Sequence, residues 1–168
     1  MVSATFTGQI ISSFEDALSA FTILTAYIPM LMDTGGNSGS QACVSIIRGI
    51  SLNEIEFRDL GRVVWKEIRV SVLCGVCLAI ACFAKIIVVD MLLLKSESVT
   101  YLVAFVVCAT MAVTVCLAKI VGSTLPLLAK KLGFDPAVMA SPIITTIVDF
   151  LSLLVYFAFA TQCSASDK

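Results

Sequence analysis

Residues 98–118 run for 21 positions without one charged side chain. Residues 17–32 and 34–47 form two more uncharged runs separated only by Asp33. Residues 70–84 are uncharged and continue to 94 around Lys85 and Asp90, and residues 136–148 and 150–166 are separated only by Asp149. A helix needs about 20 mostly apolar residues to cross a bilayer. The runs therefore predict an all-α membrane protein with four full spans, roughly 18–47, 69–94, 100–130 and 137–162. The first is long and is expected to tilt or to extend beyond the lipid. Residues 1–13 are uncharged but too short to cross, and they lack the positive start of a signal peptide. They read as the end of a further helix.

Composition agrees. Hydrophobic residues make up 59%, charged residues 14%, and mean hydropathy is +1.03. That excludes disorder. A net charge of -1 gives no attraction to nucleic acid, so no nucleic-acid partner is expected. No histidine is present, which excludes imidazole chemistry. Seven cysteines, an odd number, argue against a disulfide framework. Cys74 and Cys77 form a CxxC, but a zinc site needs further ligands nearby. The cysteines are read as packing or lipid-facing residues.

The basic residues set a topology. Arg48, Arg58, Arg62, Lys66 and Arg69 lie in the 48–69 linker, and Lys130 and Lys131 lie in the next-but-one connection. These seven share one side, against Lys95 and Lys168 on the other. The positive-inside rule places residues 48–69 and 130–131 in the cytoplasm and the C-terminus outside. Within the linker, Ser51-Leu52-Asn53-Glu54 reads as a capping box before a short interfacial helix.

Two carboxylates sit at membrane depth. An Asp at the centre of a membrane helix costs about 2.5–3.5 kcal/mol on insertion scales. Such a residue faces a bundle interior or water. On the last helix Ser141, Thr145, Asp149 and Ser152 follow at spacings of 4, 4 and 3. On the first, Pro29, Asp33, Asn37, Gln41 and Ser45 follow at spacings of 4, with Gly35, Gly36 and Gly39 interleaved. Each set forms one polar stripe. The alternative is a protonated carboxyl bonded to a neighbouring helix, with Lys85 or Thr110 as partner for Asp33. Two stripes, each with a central carboxylate, favour a water-lined path. Oxygen ligands without histidine suit Mg²⁺, Mn²⁺ or Ca²⁺. No Walker A pattern accompanies them.

The string Tyr27-Ile28-Pro29-Met30-Leu31-Met32-Asp33-Thr34-Gly35-Gly36-Asn37-Ser38-Gly39-Ser40-Gln41 closely resembles the second-helix signature of MgtE magnesium channels. The segments Leu125–Leu128, Gly133–Ala137, Ser141-Pro142 and Thr145–Asp149 resemble that family's passage into its fifth helix. The resemblance covers essentially the whole chain. It implies a bundle of five transmembrane helices per subunit, the first truncated here, in a homodimer of the bacterial plasma membrane. Second and fifth helices would line a pore that passes Mg²⁺ down the potential, with Mn²⁺ or Ca²⁺ as substitutes.

In that pattern Asp149 falls at the central pore aspartate, and Thr145 and Ser141 fall at site-lining positions. Asp33 stands where relatives usually have Gly and adds a carboxylate. Gly36, Asn37, Gln41, Ser45 and Ser152 are expected to line the pore. Asp135 is either a cytoplasmic-side ion contact or the cap of the helix that Pro136 begins. Residues 1–168 would form the pore domain alone, without the family's cytosolic N and CBS domains and without their Mg²⁺ feedback gate. The alternatives are a divalent-cation exchanger or exporter and a non-conducting membrane assembly module. An intramembrane enzyme is not expected, because no nucleophile or metal constellation is visible.

Overall fold

The computed structural model describes residues 5, 8, 9, 11, 12, 22–94, 99–139 and 142–166. A 3₁₀ turn, Thr22–Tyr27, leads into helix α1, Ile28–Ser51. A second 3₁₀ turn, Phe57–Asp59, starts α2, Leu60–Lys85, which runs on as a π-helical segment, Ile86–Leu93. Helix α3 is Tyr101–Lys131, and a 3₁₀ turn, Pro136–Met139, precedes α4, Pro142–Ser166. No strand occurs among the described residues. The described part of segment 1–13, namely Thr5, Gly8, Gln9, Ile11 and Ser12, is helical.

Among the described residues three stretches are long and apolar enough to cross a membrane: Phe57–Leu93, Tyr101–Lys131 and Pro142–Gln162. Helix α1, with 24 residues, is about 36 Å long at 1.5 Å per residue and matches them in length only. The uncharged runs alone make it equal to the other three spans. Its polar stripe and glycines make it less apolar than the others.

The linker also differs from expectation. Ser51 is the last residue of α1, and its hydroxyl donates to the Ile47 carbonyl at 2.9 Å rather than capping a new helix. Asn53 takes a left-handed φ of 54°, which turns the chain. The capping box lies further on, between Glu56 and Asp59. From Leu60 one helix continues to Lys85, so the interfacial helix and the span are a single element.

Helix α3 is the centre of the bundle, packed on α1, α2 and α4, while α1 also packs on α4. The largest apolar cluster gathers Tyr27, Ile28, Leu31, Ile86, Val103, Val107, Leu153, Tyr156 and Phe157 near the N-terminal end of α1. A second cluster joins Cys43, Ala118, Ile144 and Val148, and a third joins Ile46, Ile50, Val63 and Leu127 toward the linker end. Close approach depends on glycine. A Cβ on Gly122 of α3 would collide with the backbone carbonyl of Gly39 on α1. A Cβ on Gly35 would lie 2.8 Å from Thr114 Cγ2 and 2.9 Å from Val148 Cγ1. The glycines seat α1 in the groove between α3 and α4, as small residues do at membrane helix crossings.

Candidate ion-binding site

With its glycine side against α3 and α4, α1 turns its polar stripe outward. Asp33, Asn37, Gln41 and Ser45 are all exposed. Thr145 and Asp149, one turn apart on α4, stand beside the same edge and are half-buried. Met32, Asp33, Gly36, Asn37, Thr145 and Asp149 together line one recess of about 220 Å³. Gly36 faces Thr145 across the recess, where a Cβ would come into ordinary contact with Thr145 Cγ2 at 3.4 Å. Carboxylates from two helices, an amide and a hydroxyl therefore converge from α1 and α4.

A second recess of about 420 Å³ lies on the α2 side of α1. Asp33 and Asn37 belong to it too, with Thr34, Ser38, Gln41, Cys74, Cys77, Leu78 and Lys119. The CxxC thus borders a polar recess rather than lipid alone. Among the described residues no group of three or more Cys, Asp or Glu side chains could hold a metal ion.

The expected residues do not all meet. Asp33, Gly36, Asn37, Thr145 and Asp149 share the first recess, and Gln41 lies in the second. Ser45 is one turn beyond, and its hydroxyl donates to the Gln41 carbonyl at 3.0 Å. Ser152 is not on the recess wall. It is buried at the α1–α4 seam beside Gly35, and its hydroxyl donates to the Val148 carbonyl at 2.6 Å. The spacing of three after Asp149 rotates it toward the packed side. Asp135 accepts a hydrogen bond from the Ala137 amide at 2.9 Å, the geometry of a cap for the Pro136 turn. Ser141 lies outside the described residues. Neither partner considered for Asp33 bonds it: Lys85 pairs with Asp90, and the Thr110 hydroxyl is buried with no hydrogen-bond partner among the described residues.

Two polar contacts escaped the sequence reading. Lys119 of α3 pairs with Glu67 of α2 at 3.7 Å, both withdrawn from solvent. Lys85 pairs with Asp90 at 2.8 Å, and the Tyr27 hydroxyl donates to the same Asp90 oxygen at 2.7 Å. Lys85, Asp90 and Lys119 each interrupt an apolar run, which marks them as needing a partner, whereas Glu67 stands among the linker's charges and carries no such mark.

Membrane-length apolar helices, with one more polar helix whose single carboxylate, Asp33, shares a recess with Asp149 of its neighbour, define a polytopic α-helical membrane protein. The MgtE family model, described as a divalent cation transporter, matches residues 28–159, and the chain belongs to that family. It is similar to the magnesium transporter MgtE of Bacillus subtilis, with 36% identity over 92% of this chain and 32% of the relative. The Thermus thermophilus magnesium transporter MgtE is 35% identical over the same shares, and that of Enterococcus faecalis is 31% identical over 93% and 33%. The chain thus spans about a third of the length of these curated relatives.

Proposed function

We propose that this chain forms the membrane pathway of a passive Mg²⁺ transporter, built from two copies and lined by α1 and α4. The observation that carries the reading is the recess in which Asp33, Asn37, Thr145 and Asp149 meet. Mg²⁺ sheds water reluctantly and is usually held by one or two carboxylates with several waters retained. Asp149 would be the principal ligand, with Thr145, Ser141 and Asp33 contributing to the same ion's shell or its waters. Gly36, Asn37 and Gln41 would line the approach. A second copy about a two-fold axis would double the carboxylates facing the ion. Mn²⁺ and Ca²⁺, also oxygen-seeking, are the expected substitutes.

The membrane would be the bacterial plasma membrane, with residues 48–69 and Lys130–Lys131 cytoplasmic. Lys131 Nζ stands 4.0 Å from the centre of the Phe57 ring, so the two basic connections adjoin. That contact supports placing all seven basic residues on one side. The drive is electrical. A divalent ion crossing 100 mV releases about 4.6 kcal/mol, twice the single-charge value.

The test is Mg²⁺ uptake into liposomes holding the purified chain, with and without an imposed inside-negative potential. Uptake that rises with the potential is expected. Uptake that requires an opposing cation gradient would identify an exchanger, and no uptake would identify an assembly module.

A further inference from the structure

Sequence position alone separates Lys85 and Asp90. In a straight α-helix, residues five apart point about 140° away from each other. The structure brings them together because Ile86–Leu93 winds as a π-helix, whose wider turn, closed by i→i+5 hydrogen bonds, brings residues five apart toward the same side. Lys85 Nζ donates to both Asp90 oxygens, at 3.1 Å and 2.8 Å. Asp90 is only 8% exposed. Its third bond comes from the Tyr27 hydroxyl at 2.7 Å, and Lys85 Nζ also lies 5.2 Å from the centre of the Tyr27 ring. A π-helical turn is uncommon and often marks a functional position. Here it aims a buried carboxylate at the residue that precedes α1.

The 3₁₀ turn ending at Tyr27 is held from a second direction. Tyr156 of α4, fully buried, donates its hydroxyl to the Leu24 carbonyl at 2.8 Å. Tyr156 lies two turns beyond Asp149, and Tyr27 lies six residues, about 9 Å, before Asp33. One short turn therefore ties the recess-forming helices α1 and α4 to each other and to the π segment of α2.

We infer that the Lys85–Asp90–Tyr27 network positions α1 against α4, and that Tyr27, Asp90 and Lys85 thereby set which divalent cation the recess prefers, although none of them lines it. The inference rests on the transport reading above. Mg²⁺ demands a compact octahedral shell at about 2.0–2.1 Å, whereas Ca²⁺ accepts looser shells at about 2.3–2.6 Å. Fixed spacing between the α1 and α4 oxygens favours the smaller ion. Letting the end of α1 rotate or slide relaxes that spacing and favours the larger one.

The test uses Mn²⁺ bound to the purified chain, followed by paramagnetic resonance and displaced by Mg²⁺ or Ca²⁺. Tyr27→Phe removes one hydrogen bond and keeps the ring. It is expected to shift the ratio of half-displacing Ca²⁺ to Mg²⁺ toward Ca²⁺ by about threefold or more, the scale of one hydrogen bond. Lys85→Met is expected to shift it in the same direction. Asp90→Asn, which keeps an acceptor for Tyr27, is expected to shift it less than Asp90→Leu. The double variant Tyr27→Phe/Lys85→Met should shift it less than the two single effects combined, because both act through Asp90. A purely structural role would lower the melting temperature and leave the ratio unmoved, and that result in either folded single variant overturns the proposal. Asp149→Asn separates the two levels. If Mn²⁺ binding depends on Asp149 while Tyr27→Phe and Lys85→Met leave the ratio unchanged, this inference alone fails. Mn²⁺ binding indifferent to Asp149→Asn overturns the transport reading and this inference with it.

Discussion

The ammonium of Lys119 on α3 lies 3.7 Å from a carboxylate oxygen of Glu67 on α2, with the two side chains only 10% and 7% exposed. This pair joins the helices in the interior, and Lys119 also borders the recess on the α2 side of α1. Charges buried together lose much of their mutual attraction to desolvation, but removing one leaves the other uncompensated. Lys119→Met alone is expected to destabilise the fold by about 3 kcal/mol. The double variant Glu67→Leu/Lys119→Met should recover most of that. Thermal unfolding of both proteins in detergent checks the difference.

The crossing of α1 and α3 at Gly39 and Gly122 has no room for a methyl group, since the obstructing atoms are backbone. Gly122→Ala is expected to push the helices apart at a cost of about 1–3 kcal/mol. Gly61, where a Cβ would meet nothing within 4 Å, is the control. Gly61→Ala should leave the melting temperature unchanged or slightly raised.

Asp33 is exposed and lines both recesses. Asp33→Gly should therefore keep both the fold and Mg²⁺ flux of similar order, while weakening block by Ca²⁺ or Mn²⁺. Flux measured against rising Mn²⁺, beside a melting curve, reads both effects. Lost stability with unaltered competition would assign Asp33 to packing instead.

Orientation can be read chemically. A cysteine placed at Lys131, in a background without the native cysteines, should react with an impermeant thiol reagent only after the cells are permeabilised. Labelling of intact spheroplasts would reverse the topology inferred from the seven basic residues of the two adjoining connections.

Much of the architecture was legible because lipid imposes a long apolar period, and the limits of α3 follow from the uncharged run and the closing lysines. Spacing by fours also found Asp33, Asn37, Thr145 and Asp149, which one recess unites. Spacing does not separate Ser152, which lies off the recess wall, because a polar side chain next to a stripe can bond its own helix and turn inward. The Lys85–Asp90 contact was hidden by the assumption of 3.6 residues per turn, which the π segment breaks. The Glu67–Lys119 pair joins residues 52 positions apart, and no local pattern encodes that meeting.

If divalent ions pass Asp149, transport depends on its carboxylate. The most direct measurement compares the chain and its Asp149→Asn variant in liposomes under the same inside-negative potential, with Mg²⁺ uptake recorded and the oligomeric state checked in both. Potential-dependent uptake is expected in the parent chain and at least a tenfold loss in the variant, about 1.4 kcal/mol or more in the barrier, with assembly unchanged. Equal uptake by an equally assembled variant would contradict it.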